Sequence, residues 1–494
     1  MKRLENQVKQ TAPTLLALTA PLTLALTLAL AGCAQITPDM HPAVKRDAAN
    51  AQLAAGIKLA HEGWPEAQWW TAYHDEQLNT LIRQALKDGP SLEVAAAQIG
   101  NARSALSRSA ADLGVDVSAY ANANRQRYSG TGLFPAPIGG AYFTQETLRL
   151  DVRYNFDWWG KNRAQVAAAV GELNAGRAAY AEAEQSLAAA IALSYFRLQG
   201  AWARLDNLAQ LAATQTALVD DKARRIARGL AGADEQRAAE LELGLFRKQQ
   251  AQLDADIVHE REALRALAGA GNQALADLRP VALSATQTRN AALPERLGME
   301  LLARRPDLQA ARWKLEASLS KIDAAKAAFY PDVNLTGSIG LDTVKIENLL
   351  QTASRTVYLG PTVTLPLFDS RRLDAQLDSA RTGRNQRIAE YNQAIVEAVR
   401  DVAQNGAQLQ GIARQIVQQT AVTASARAQL ASAQARLDHG LASNSSLLNA
   451  RLALLKQQDG DLYLRQVQLL AEVTLASALG GGYHEEAPLA TAAK

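Results

Sequence analysis

A single cysteine, Cys33, stands among the 494 residues of this chain, which excludes an internal disulfide and any cysteine cage for zinc. No sign of charge prevails. The 52 lysines and arginines against 49 aspartates and glutamates leave +3, too balanced to give nucleic acid an electrostatic footprint. Lys2, Arg3 and Lys9 against Glu5 supply +2 of that within the first 32 residues, so the remainder stands at +1. Disorder is excluded by a hydrophobic fraction of 48%. The six histidines (His41, His61, His74, His259, His439, His484) form no His-x-x-x-His pair, and neither a phosphate-cradling Gly-x-x-x-x-Gly-Lys nor a Gly-x-Ser-x-Gly elbow occurs. The chain is therefore expected to be no enzyme, with no catalytic residue, metal site or cofactor, and any energy it uses must come from a partner. Beyond Cys33 no apolar run is long enough for a membrane-spanning helix, so a spanning role would have to use β-strands.

The lone cysteine is informatively placed. Basic residues precede a leucine- and alanine-rich stretch that ends in Leu30-Ala31-Gly32-Cys33, the order of a secretory signal. Leu-Ala-Gly-Cys looks like a bacterial lipobox. Cleavage after residue 32 would leave Cys33 as a lipidated N-terminus, and Ala34, in place of an aspartate, favours the outer membrane.

The chain is written twice. Pro90, Leu92, Asp116 and Val117 recur 216 residues later as Pro306, Leu308, Asp332 and Val333. Further on the offset is 211, linking Tyr180 to Tyr391, Gly229-Leu230-Ala231 to Gly440-Leu441-Ala442, and Gly269 to Gly480. One longer loop in the first half, Ser129–Ala141, absorbs the difference. Ile191, Leu198, Leu205, Ala212, Val219 and Ile226 follow at sevens, and so do Ile388, Ile395, Val402, Leu409 and Ile416. A sustained seven-residue seam predicts helices packed side by side as coiled coil. No proline interrupts Lys161 to Arg228 or Arg371 to His439, which predicts two rods of roughly 100 Å each. Each ends at a glycine, Gly229 or Gly440, suited to a left-handed C′ turn, and a second helix returns from it. Two helical hairpins, 161–268 and 371–479, are the expectation.

Before each rod lies a pair of segments with period two. Strands are predicted at about 115–128, 144–157, 332–342 and 355–367, with Pro361 and Pro366 near bends or strand ends. One face of each is apolar and the other polar, as in an outer-membrane β-strand. Four strands cannot close a barrel, and open edges are not tolerated in lipid, so copies must pool their strands. Tyr154, Trp158 and Trp159 suit an aromatic girdle at the membrane interface, although the tryptophans fit packing at the strand–helix junction equally well. The organisation is then a signal segment (1–32), an anchored periplasmic stretch (33–74), a first repeat (75–270), a linker (271–298), a second repeat (299–482) and a tail (483–494).

Several pieces now carry a resemblance: Gly63-Trp64-Pro65 with Trp69-Trp70, Arg304-Arg305-Pro306-Asp307-Leu308, Phe329-Tyr330-Pro331, Leu365-Pro366-Leu367-Phe368-Asp369 and Leu479-Gly480-Gly481-Gly482-Tyr483. In this order, inside a doubled chain, they resemble the TolC-like outer membrane factors, in the lipoprotein branch that includes OprM and NodT. The resemblance implies mixed α and membrane-β architecture: a homotrimer with a twelve-stranded barrel above a twelve-helix periplasmic tunnel. It implies a passive export duct for small toxic compounds, served by an inner-membrane pump through a periplasmic adaptor. It also implies that Gly229, Leu230, Gly440 and Leu441 at the hairpin tips dock the adaptor. Some members ring the aperture with aspartates just past these turns; here Ser446 and Asn449 stand at that spacing, with Asp438, Asp234 and Glu235 nearby as further gate candidates. Export of polypeptides by a type I system, or a non-conducting coiled-coil spacer, are the rival expectations.

Overall fold

The computed structural model describes residues 36–47, 59–60, 64–230, 232–269, 275–283, 293–294, 301, 303–366 and 368–484. Cys33 and the preceding signal-like segment lie outside the described residues. Two helices open the first repeat, α1 (Glu76–Asp88) and α2 (Pro90–Ala111). The strands β1 (Val115–Arg127) and β2 (Tyr142–Asn155) follow, then the 67-residue α3 (Lys161–Ala227) and its return α4 (Ala233–Leu267). The second repeat gives α5 (Pro306–Ala327), β3 (Asp332–Thr343), β4 (Arg355–Thr364), the 69-residue α6 (Ser370–Asp438) and α7 (Asn444–Ala478). At 1.5 Å per residue, α3 and α6 are each about 100 Å long.

The sheet is antiparallel throughout, in the order β1-β2-β3-β4, so β2 and β3 join the two repeats and β1 and β4 are left as free edges. Registers run without a bulge, pairing Val117 with Val152, Val152 with Gly337 and Gly337 with Leu359. Alternation therefore sorts the side chains cleanly: Val115, Val117, Leu148, Leu150, Ile339, Val357 and Leu359 crowd one face and stay exposed. A sheet in water would cover that face; this one leaves it bare.

Pro361 departs from expectation. It sits inside β4, paired with Leu335, rather than at a bend. The ladder explains why. Tyr128 donates to Ala141 (3.1 Å) and Phe156 to Val333 (3.2 Å), which fixes the alternation across the sheet. By that alternation odd-numbered residues of β4 turn their N–H toward the free edge, so the donor that Pro361 lacks is missing from no bond to β3. Pro366 follows the strand end.

The cores are strung along the rods. Ile191 and Leu198 of the predicted seam are buried, as are Ile395, Val402 and Leu409. Nearer the tip of α3, burial moves off that series to Leu208, Leu211 and Leu218. The reason is that α3 there faces both α4 and α7: Phe246 and Leu253 from one, Leu452 and Leu455 from the other, meet these leucines in one cluster. Two flanks need a wider apolar stripe than one.

Candidate functional site

Both hairpin tips are built alike. Gly229 and Gly440 adopt left-handed φ of 70° and 69°. Leu230 N–H returns to Arg225 O (2.8 Å) and Gly229 N–H to Ile226 O (2.9 Å), while Leu441 N–H returns to Arg436 O (2.7 Å) and Gly440 N–H to Leu437 O (2.9 Å). These are paired Schellman closures, which require positive φ at the C′ position and hence favour glycine. The closures turn the following leucines outward, Leu230 63% and Leu441 71% exposed. Arg225 and Arg436 each reach round to the carbonyl of their own turn's leucine (3.4 and 3.5 Å).

Between the tips lies a contact that no sequence pattern announced. Asp221 of α3, 9% exposed, accepts hydrogen bonds from the Ser445 hydroxyl and from Asn444 Nδ2 (3.2 Å), both at the start of α7. Arg225 donates to Ser445 Oγ (3.3 Å), and Arg224 stands 3.7 Å from Asp221. Burial alone would raise the Asp221 carboxyl. The Ser445 and Asn444 donors and the two arginines outweigh it and hold the group below the ordinary value of 3.8. The first hairpin thus grips the second by its N-terminal turn, where α7's unpaired amides also favour an anion.

None of the five expected gate residues takes part in this clasp. Asp234 and Glu235 open α4, where Glu235 pairs with Lys222 of α3. Asp438 ends α6 and accepts from Gln434 (2.8 Å). Ser446 lies in the first turn of α7, its amide held by the cap residue Ser443 (3.3 Å), and Asn449 is exposed one turn on. Asp221 shares its buried face of α3 with Asn207, Thr214 and Gln215, so nothing in the sequence singles it out.

The polar face of the sheet carries rows of matched side chains. Arg149 lies over the Tyr120 ring (4.6 Å) and donates to Asp151 (3.0 Å). Its neighbour across the register is Gly340, where a Cβ would stand 2.5 Å from that of Arg149, so only glycine fits the row. Asp342 accepts from Gln145 (3.0 Å) and Thr147 (3.3 Å). At the helix end of the sheet the aromatics divide. Tyr154, Phe156 and Trp158 form an exposed chain of ring contacts at 5.2 and 5.6 Å. Trp159 instead stacks on Tyr330 (4.5 Å) and donates to Pro331 O (2.9 Å), closing the junction between the repeats.

An extended strap, residues 36–47, lies along α6. Asn385 accepts from Ala43 N–H (3.1 Å) and donates to His41 O (3.0 Å); Asn392, seven residues on, does the same for Arg46 N–H (2.7 Å) and Val44 O (2.9 Å). Arg381 holds the Thr37 carbonyl, Arg384 pairs with Asp39 (2.7 Å), and Lys45 covers the Tyr391 ring (4.7 Å). At its start Ile36 packs on Ile322, Phe329, Leu373 and Leu377, next to the sheet.

Comparison with known proteins follows the same lines. The family model of the outer membrane efflux protein matches residues 81–270 and 297–481. The multidrug resistance outer membrane protein MdtP of Escherichia coli (strain K12) is 36% identical over 465 residues, spanning 92% of this chain and 95% of that protein. The multidrug resistance outer membrane protein MdtQ of Escherichia coli O157:H7 is 35% identical over 467 residues, 93% and 97% of the two chains. The crystal structure of the outer membrane protein VceC of Vibrio cholerae superposes with a TM-score of 0.76 at 30% identity, covering 85% of this chain and all of that one.

Proposed function

The chain belongs to the outer membrane efflux protein family, and from that premise we propose that it is the outer membrane channel of a multidrug efflux system. Three copies pool their four-stranded sheets into a twelve-stranded barrel, whose polar face lines the lumen and whose bare apolar face meets lipid. The six hairpins continue the duct into the periplasm, where Gly229-Leu230 and Gly440-Leu441 offer exposed leucines to a periplasmic adaptor, which connects to an inner-membrane pump. Nothing is catalysed. The open sheet, apolar on its exposed face and joined to 100 Å hairpins, carries this reading.

Two finer assignments rest on the geometry. Ile36, three residues beyond Cys33 in the sequence, packs beside the sheet–helix junction, which supports a lipid anchor on Cys33 at the inner face of the membrane. The gate is centred on Asp221, Ser445 and Asn444, with Asp438, Asn449, Ser446, Asp234 and Glu235 around it. Single-channel recording in planar bilayers tests both duct and gate. The wild-type trimer should conduct poorly, and Asp221→Ala with Ser445→Ala should raise conductance at least about twofold, since a buried charged contact is lost. Asp438→Ala with Asn449→Ala should do less. A chain that never conducts sinks the duct, and equal effects from both pairs sink the clasp as gate centre.

A further inference from the structure

The exposed face of the sheet changes character toward its outer end. In β1 the outward residues run Val115, Val117, Ala119, Ala121 and Ala123, then Arg125 and Arg127. In β4 the outward series Val357, Leu359, Pro361 and Val363 is headed by Arg355. From Val115 to Arg125 is ten residues, about 33 Å along the strand, and at a barrel tilt of about 40° that is about 25 Å of height, the height of an apolar barrel band. Arg125 and Arg127 therefore stand just above the hydrocarbon, at the end of the sheet remote from the helices, and Arg355, in register with Leu341, Leu148 and Ala121, stands at its upper edge. All three are exposed.

None of them joins an ion pair among the described residues. Arg127 Nε donates to Gly140 O (3.2 Å), and Arg125 lies 5.7 Å from the centroid of Tyr142. The rim holds four cations, Arg125, Arg127, Lys345 and Arg355, against three carboxylates, Glu146, Asp342 and Glu347, of which Asp342 is engaged by Gln145 and Thr147 on the polar face. Glu146 is buried, with one oxygen lacking any hydrogen-bond partner. Below the rim the face is grooved: an apolar cleft of about 460 Å³ runs between Leu148, Leu150, Ile339 and Leu341, and Arg355 forms part of its wall. Cations above an apolar groove suit an anionic headgroup with acyl chains.

We propose that the outer wall of the barrel binds a phosphorylated glycolipid of the outer leaflet. Its phosphates engage Arg125 and Arg127 of one subunit together with Arg355 of the next, and its acyl chains lie in the cleft. The seam between copies brings these residues together, because β1 and β4 are the two free edges and antiparallel closure puts their outer ends side by side. Arginine suits the task, since its fork matches phosphate geometry and stays charged at every relevant pH. The inference rests on the strands spanning the outer membrane as a shared barrel.

Native mass spectrometry of the detergent-extracted trimer tests it, with bis-phosphorylated lipid A as the probe. The wild-type trimer should retain lipid A and release its dephosphorylated form, phosphatidylglycerol and inorganic phosphate. Arg125→Gln with Arg127→Gln, and separately Arg355→Gln, should each weaken retention by about tenfold or more, as lost charge-assisted contacts do. Arg153→Gln, on the polar face and away from the cleft, should not. Equal retention of phosphorylated and dephosphorylated lipid by the unaltered protein overturns the site, as does retention unchanged in both variants. Retention of phosphatidylglycerol as strong as that of lipid A overturns the glycolipid. A wild-type protein that extracts only as monomer overturns the shared barrel itself, a failure visible in the mass before any lipid is added.

Discussion

At the scale of single residues, the motif Arg304-Arg305-Pro306-Asp307-Leu308 marks a resemblance in the sequence, and its physical task emerges only in the fold. Arg305 grips Asp307 through two bonds (3.0 and 2.7 Å) and donates to Ala478 O (2.8 Å), so it ties the start of α5 to the end of α7. Glu182 of α3 faces this group. Burial, reinforced by the Asp307 charge, raises its carboxyl above the ordinary 4.5, and Arg305 only partly offsets that. A raised acid binds its proton more tightly in the folded chain, so its burden on stability is absent well below pH 4.5 and grows as pH rises through and above that value. Glu182→Gln should therefore raise the melting temperature by roughly 1–2 °C at pH 7 and leave it unchanged at pH 4, read by scanning calorimetry. A lower melting temperature at pH 7 would mean that the charge matters more as a partner for the α5 N-terminus. Asp221 shows why such groups were illegible. A polar residue met across 223 or 224 positions of chain has no period, and period is what a sequence displays.

At the scale of elements, most of the fold was legible because each element repeats one signal many times. Alternation over ten or more residues announced four strands, and heptads over nearly 70 residues announced two rods; glycines at 229 and 440 announced their ends. Where the signal is short the inference fails, as Pro361 shows, since one residue cannot reveal which edge its missing donor faces. The strap is the clearest case of an element without a signal. Residues 36–47 make no regular structure, and what orders them is a pair of asparagines two helical turns apart on α6. Each asparagine serves one strap N–H and one strap carbonyl, as a strand partner would. Asn385→Ala with Asn392→Ala removes four such bonds, about 1 kcal/mol each at most in so open a setting. Hydrogen exchange by mass spectrometry should then accelerate in the peptide holding Ala43 and Arg46 by about tenfold, with the α3 and α7 peptides unchanged. Unaltered exchange would show that Arg381 and Arg384 hold the strap alone.

At the scale of the whole molecule, duplication supplies an argument that one subunit does not. Within a subunit α3 packs against α7, and the clasp joins Asp221 to Ser445 across that contact. The 211-residue offset maps α3 onto α6 and α7 onto α4, so in a ring of six hairpins the equivalent contact lies between α6 of one subunit and α4 of the next. On this mapping Asp221 becomes Ser432, and Ser445 becomes Asp234. The acid and the hydroxyl have exchanged sides, which preserves one acceptor and one donor at each seam. Both residues are exposed in the single chain, as members of an unmade contact should be. On this mapping Asp234 would meet Ser432 of the neighbouring copy, a partner that neither spacing nor the isolated subunit supplies. Ser432→Asp sets two carboxylates face to face and should open the tip, raising single-channel conductance at least about twofold; adding Asp234→Ser restores the pair with its polarity reversed and should return conductance to the wild-type level. If the double variant conducts as the single one does, the two residues do not meet, and the tip is held within subunits by Asp221 rather than between them.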